Sequence, residues 1–315
     1  MNGVGEAEHL VIAGAAKCAT TSLFFFLSRH PAVAPATVKE TRFFLDPDDP
    51  SPSVARFTDG IERYAEFFPT ARPGLLRLEA TPQYLTSRGC AARLVRALPR
   101  LRVLICLREP VDRLRSAFRY GRQLGYRGHD APWPDFVRAQ LDDPRRETTY
   151  PPTPLALGLY ARHLAPWREA LPRERLQVVF FEDLTRDPRA LLQRIAAFAG
   201  LDPAPLAGLE NLRYNESRSS RWRTVNRGLM DMRRMLVPWT YRYPGLHGAL
   251  RRTKHAVEGA LAHWQPADRS DPPLEPALQA RLVDYYRGDV QRLPELLGVT
   301  PPWPVYFPDE PGTTR

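Results

Sequence analysis

Lys17 lies in a run of small and hydroxylated residues, Gly14-Ala15-Ala16-Lys17-Cys18-Ala19-Thr20-Thr21-Ser22, directly after a short apolar stretch. Backbone N–H groups at the start of a helix bind an anion, the helix dipole adds to that field, and an ammonium with three hydroxyls supplies charge and donors. The segment therefore reads as a phosphate loop, although a capped helix that merely follows a core strand has the same composition. It is not the GxxxxGK[ST] loop, in which the lysine directly precedes the hydroxyl that ligates magnesium. Here Lys17 precedes Thr20 by three positions. A second anion-binding pattern occurs at Leu104-Ile105-Cys106-Leu107-Arg108-Glu109-Pro110-Val111-Asp112-Arg113-Leu114-Arg115-Ser116. Arg108 falls at the carboxyl end of a buried strand, where open α/β sheets bind ligands, and Ser116 falls inside the helix that follows. A guanidinium can fork two oxygens of an anion while a hydroxyl donates to a third. Arg113 and Arg115 read as a solvated helix face.

These residues need a scaffold that brings two distant loops together. Residues 9–14, 75–80, 101–107 and 176–181 are short apolar runs rich in Val, Leu and Ile. Between them residues 23–29, 88–98, 111–124 and 188–199 carry helical apolar spacing. Strands alternating with helices predict an α/β fold, a parallel sheet with helices on both faces. Pro-rich connectors at 46–52 and 150–154 read as surface loops. Residues 215–270 are a basic, aromatic helical and loop region that could cover an acceptor cleft. Residues 274–297 read as one amphipathic helix, and 301–315 as an extended tail. One domain spanning 1–315 is expected.

Lys17-Cys18-Ala19-Thr20-Thr21-Ser22-Leu23, with His30-Pro31 downstream, resembles the 5′-phosphosulfate loop of the sulfotransferases that use 3′-phosphoadenosine 5′-phosphosulfate (PAPS). The usual form is K-x-G-T-T-S-L, so Ala19 stands where that family has glycine. The Arg108 segment resembles the family's 3′-phosphate motif, L-R-x-P-x-x-R-x-x-S, and matches its arginine, proline and serine positions. Lys39-Glu40-Thr41-Arg42-Phe43-Phe44, taken alone a surface charge pair before two aromatics, is similar to the K-E-x-x-F-F segment of the heparan sulfate branch. The resemblance implies a P-loop-like sulfotransferase fold, PAPS as co-substrate and no required metal. It implies Glu40 as the base that takes the acceptor proton and Lys17 as the charge that stabilises the leaving phosphate. Lys17, Cys18, Ala19, Thr20, Thr21, Ser22, Arg108 and Ser116 would hold the nucleotide. Arg218 and Arg221 resemble the late basic loop on its 3′-phosphate side. Lys39 would orient Glu40, touch the phosphosulfate or remain solvated. Glu79, in Leu78-Glu79-Ala80-Thr81-Pro82-Gln83-Tyr84, could contact the acceptor, orient Lys17 or sit in a scaffold ion pair.

Composition bounds the remaining choices. The chain has 315 residues, 43% hydrophobic and 25% charged, enough to bury a core. Its formal charge of +10 favours an anionic partner. Only Lys17, Lys39 and Lys254 are lysines among 45 basic residues, so a lysine inside a motif points to a need for a compact ammonium. Apolar runs are too short to cross a bilayer, and the first residues lack a signal-peptide pattern, so a cytoplasmic protein without stable membrane insertion is expected. Cys18, Cys90 and Cys106 are scattered and should be reduced thiols. His30 and His163 read as packed or surface histidines. The expected acceptor is a glycan, lipid or small molecule. A P-loop nucleotide kinase and a basic nucleic-acid or membrane-binding protein are the alternatives, the first weakened by the missing GK[ST], the second by the absence of a recognised nucleic-acid module.

Overall fold

The computed structural model describes residues 6–126, 128–143, 145–208 and 271–307. Five parallel strands, β1 (His9–Gly14), β2 (Val33–Pro35), β3 (Leu76–Ala80), β4 (Leu101–Leu107) and β5 (Leu176–Phe180), lie in the order β2-β3-β1-β4-β5. Every residue of β1 is buried, which requires cover on both faces. The helices are α1 (Thr20–Leu27), the single turn α2 (Glu62–Ala65), α3 (Cys90–Ala97), α4 (Pro110–Leu124), α5 (Trp133–Asp142), α6 (Tyr160–Ala170), α7 (Phe181–Arg186), α8 (Pro188–Ala199), α9 (Pro276–Val290) and α10 (Leu293–Leu297). The chain leaves β1 toward one edge of the sheet, returns through β3, and then builds β4 and β5 on the other side. The carboxyl ends of β1 and β4 consequently meet at the point where strand order reverses, the usual binding crevice of open α/β sheets.

Local chemistry explains the helix beginning after β4. Pro110 occupies the first turn of α4, where its missing N–H costs nothing, and the Glu109 carboxylate accepts from Val111 N at 3.0 Å and Asp112 N at 2.7 Å. Gly125 ends α4 with φ 71°, a left-handed conformation suited to glycine. The Asp187 carboxylate caps α8 in the same way, accepting from Ala190 N at 2.9 Å.

Three expectations from sequence are corrected, and one strand is added. β2 escaped notice because it is a three-residue edge strand ending in proline, a residue that only an edge accommodates. Residues 274–297 form two helices, since Pro294 cannot donate to the carbonyl of Val290 and its ring would crowd it. Residues 301–307 are no free tail: Trp303 and Tyr306 are buried, and the Tyr306 hydroxyl donates to Glu109 Oε1 at 2.8 Å. Arg113 is wholly buried and donates to the carbonyl of Pro154. It shares the stripe of Pro110, Leu114, Phe118 and Gly121, the buried face of α4. Arg115, by contrast, remains half-buried, with its guanidinium 5.6 Å from the Trp133 ring. Among the described residues no helix is long and apolar enough to cross a membrane.

Candidate active site

The turn after β1 is held by main-chain bonds. Ala15 N donates to Cys106 O of β4 at 2.8 Å, and Cys18 N donates back to Ala15 O at 3.2 Å. Gly14 is required here, because a Cβ would lie 2.7 Å from the Cβ of Leu85. Lys17 and Ala19 both take left-handed backbone, with φ 72° and 59°. Alternation of such residues turns successive N–H groups toward a common point, a nest for an anion. The N–H groups of Lys17, Ala19, Thr20 and Thr21 have no acceptor among the described residues. Position 19 explains the glycine of related loops, since left-handed backbone costs an alanine about 1–2 kcal/mol.

Cys18 departs from the other loop residues expected to hold the nucleotide. Its N–H is spent in the turn, and its buried thiol points inward to the Tyr160 hydroxyl, 3.7 Å away. Burial pushes that thiol up to about 11. The Tyr160 hydroxyl donates to Arg108 O at 2.8 Å. One phenol thus joins the loop after β1 to the loop after β4.

Arg108 emerges from the end of β4 with its guanidinium 4.5 Å from the Phe181 ring and 3.9 Å from Asp112. Its Nε is buried and has no acceptor among the described residues. Ser116 is half-buried on α4, and its hydroxyl makes no hydrogen bond among those residues. An arginine with spare donors, a hydroxyl and a nest of free N–H groups at neighbouring strand ends fit a ligand with two separated anionic groups. Thr20 and Ser22 are buried and Thr21 half-buried on α1. Arg218, Arg221 and the basic region 215–270 lie outside the described residues.

Lys17 is half-buried, and its ammonium stacks 3.9 Å from the centroid of the exposed Tyr120 ring. Burial lowers its pKa from 10.5 to about 8, and repulsion from Lys39 and Arg108 adds to the effect. Those contributions put Lys39 and Arg108 within electrostatic reach of Lys17, so the three cations form one positive field. Tyr120 carried no motif signal.

Glu40 joins this field clamped between two cations. Lys39 Nζ lies 3.1 Å from its Oε1, and Arg42 Nη2 lies 2.8 Å from its Oε2. Burial would raise the carboxyl pKa, but the two cations overcome it and hold the group below the ordinary glutamate range. Arg42 sits at φ 56° and also donates to Pro52 O at 3.1 Å. The sequence contains Arg42 inside the K-E-x-x-F-F segment, yet the motif leaves that position open.

Glu79 is 1% exposed and makes no ion pair among the described residues. Its oxygens accept from Thr41 at 2.6 Å, Tyr64 at 2.8 Å, Thr81 at 2.9 Å and Tyr84 at 3.2 Å. The structure thus replaces the three expected roles with another. Glu79 clamps Thr41, the residue after Glu40, while Arg42 N donates to Thr81 Oγ1 and Ala80 N to Lys39 O. The end of β3 therefore fixes the segment that carries Glu40. His30 and His163 are packed: His30 Nε2 donates to Asp202 O and Nδ1 accepts from Ala32 N, while His163 Nε2 faces Ala156 O. All three cysteines are free and buried. Among the described residues no group of three His, Cys, Asp or Glu side chains is placed to hold a metal.

Residues 7–230 match the sulfotransferase domain family. The chain is 29% identical over 222 residues to the bovine bifunctional heparan sulfate N-deacetylase/N-sulfotransferase 2, covering 66% of this chain and 23% of that protein. It is 28% identical over 199 residues to the mouse heparan sulfate glucosamine 3-O-sulfotransferase 3B1, covering 63% of this chain and 47% of the relative. The chain thus spans about a quarter of the first relative's length and about half of the second's. A sulfotransferase from Alicyclobacillus acidocaldarius superimposes with a TM-score of 0.60 at 24% identity, covering 92% of this chain and 96% of that one.

Proposed function

The chain belongs to the sulfotransferase domain family, and on that premise we propose that it moves a sulfuryl group from PAPS to an acceptor hydroxyl, releasing adenosine 3′,5′-bisphosphate. The observation that carries this reading is the junction of the two loops, where Ala15 N bonds to Cys106 O and Tyr160 bridges Cys18 and Arg108. That junction supports one ligand held at both ends. In the proposal the N–H groups of Lys17, Ala19, Thr20 and Thr21, with the hydroxyls of Thr20, Thr21 and Ser22, hold the 5′-phosphate. Arg108 and Ser116 hold the 3′-phosphate, and Arg218 and Arg221, outside the described residues, are proposed as further ligands of it. Cys18 contributes by fixing the turn rather than by touching the ligand.

Glu40 accepts the proton of the acceptor oxygen as that oxygen bonds to sulfur and the sulfur–oxygen bond to the 5′-phosphate breaks. Lys17 neutralises the charge that grows on the leaving phosphate oxygen. Lys39 and Arg42 hold Glu40 as a carboxylate, and Lys39, within electrostatic reach of Lys17, would touch the transferring group. Glu79 is a positioning residue acting through Thr41. Positioning and charge stabilisation do most of the work in such a transfer, and no step here calls for a metal. One domain spanning 1–315 is proposed to carry these parts.

Transfer of radiolabelled sulfate from PAPS to panels of sugars, phenols and lipids tests the activity. Glu40→Gln should keep bisphosphate binding and lose turnover, and Arg108→Ala should lose bisphosphate affinity. Parental turnover in Glu40→Gln removes the base assignment, and unchanged affinity in Arg108→Ala removes the 3′ site. Stabilisation by ATP with magnesium, and none by the bisphosphate, would favour a nucleotide kinase instead.

A further inference from the structure

We infer that the acceptor is a neutral molecule that carries its hydroxyl on a ring-sized or alkyl group, and that this group enters a cleft beside the Lys17 loop; the inference rests on the sulfuryl-transfer reading above. The cleft has a volume of about 100 Å³. A dry cavity of roughly 150 Å³ accommodates benzene, so this smaller cleft takes a short chain or one edge of a ring, the rest of the acceptor staying outside it. Ala15 and Ala16, next to Lys17, form one wall, and Leu85, Leu157 and Pro151 form others. Asp49 and Ser51 complete the rim. That rim is tied to the Glu40 segment, because Ser53 Oγ donates to Thr41 O at 2.9 Å and Arg42 Nη1 to Pro52 O at 3.1 Å. The cleft therefore adjoins the loop assigned to the donor, and two of its lining residues, Asp49 and Ser51, belong to the connector whose next residues, Pro52 and Ser53, bond to the segment assigned to the base.

Charge decides what it admits. Among the described residues no lysine or arginine lines it, and Asp49 is its one carboxylate. The nearby Arg88 stacks 4.1 Å from the Tyr150 ring and is already matched to Asp48 at 2.6 Å. A sulfated or uronic-acid chain would bring like charge to Asp49 and find no cation inside. The wall does offer polarity suited to an uncharged ligand: the Gln83 amide oxygen is buried and accepts no hydrogen bond among the described residues. A neutral hydroxylated ring or alkyl group fits apolar walls with a single amide; a polyanion does not. The preference would set this chain apart from the heparan sulfate enzymes to which it is similar.

The full chain is supplied with labelled PAPS and three acceptors: 4-methylphenol, cyclohexylmethanol and heparosan, a polyanionic glycan. The expected result is a kcat/KM for at least one neutral probe at least tenfold above that for heparosan. Leu157→Trp, which fills the cleft, should lower kcat/KM for 4-methylphenol at least tenfold while the KM for PAPS stays within twofold. Thr86→Tyr, at another lining residue, repeats the test if the first variant melts early. Preference for heparosan, or an unaltered 4-methylphenol rate in both filled variants, overturns the inference. Equilibrium dialysis separates its failure from that of the reading beneath it. Bisphosphate binding without retention of either neutral probe overturns the acceptor assignment, whereas absence of bisphosphate binding overturns the sulfuryl-transfer reading itself.

Discussion

Raising the pH should switch off donor use through Lys17 alone. Burial disfavours the ammonium, and Lys39 and Arg108 repel it, so its proton is lost near pH 8 instead of near 10.5. With that value about nine-tenths of the free enzyme carries the charge at pH 7, and about one-tenth at pH 9. The sign is fixed by the direction of the shift: a lowered lysine is charged below its pKa and neutral above it, so activity falls as pH rises. Because kcat/KM reports the free enzyme, its value for PAPS should drop about tenfold from pH 7 to pH 9. Lys17→Arg keeps a positive charge throughout and should carry the alkaline limb beyond pH 10, even if its planar head lowers the plateau. Lys39→Met removes one repulsion and should move the limb to higher pH. Calorimetry supplies an independent reading, since bisphosphate binding at pH 9 should take up a proton and show a buffer-dependent heat. A profile flat from pH 7 to 10, or a limb near pH 8 that survives in Lys17→Arg, would refute the assignment.

Three further outcomes follow from the same geometry. In Arg42→Met the Glu40 carboxyl loses one of two cations that hold it down, so the acid limb of kcat/KM should move to higher pH, and Arg42→Lys should restore part of the original limb; an unmoved limb would separate Arg42 from Glu40. Glu79→Ala leaves the hydroxyls of Thr41, Thr81, Tyr64 and Tyr84 without their acceptor and should cost about 3 kcal/mol in urea unfolding, with Glu79→Gln recovering part of it. Full stability in the alanine variant would show that the hydroxyls re-pair elsewhere. Ala19→Gly relieves left-handed backbone worth about 1–2 kcal/mol and gives back about 0.4–1 kcal/mol in unfolded-chain entropy, so the urea midpoint should rise by a net of about 0.5–1 kcal/mol. A lowered midpoint would contradict it.

Sequence reading recovered the parts of the fold whose pattern is local. Buried strands such as Leu101–Leu107 and capped helices such as Pro110–Leu124 announce themselves through apolar runs, prolines and glycines. The positions of the two loops read as anion sites were legible for the same reason, because each follows a strand, β1 or β4, within its own short motif. What it missed depends on pairing across the chain. β2 exists because β3 offers it an edge, and α5 is anchored by Trp133 and Phe136 against Phe118. Glu79 could not be placed from sequence, since its hydroxyl partners come from residues 41, 64, 81 and 84 and no spacing rule joins them. Arg113 was legible and misread: it repeats with Pro110, Leu114 and Gly121, so its position in the apolar stripe outweighed its charge.

The main-chain bond from Ala15 to Cys106 and the Tyr160 hydroxyl that spans Cys18 and Arg108 give the crevice a set span. Under the proposed function the two loops would act as a caliper, selecting by length before any chemistry begins. In the proposed reading, a nucleotide lacking the 3′-phosphate would fill one jaw and leave the other empty. ATP, however abundant, would then be turned away by its dimensions, and the spent bisphosphate, matching both jaws, would be the natural brake on turnover.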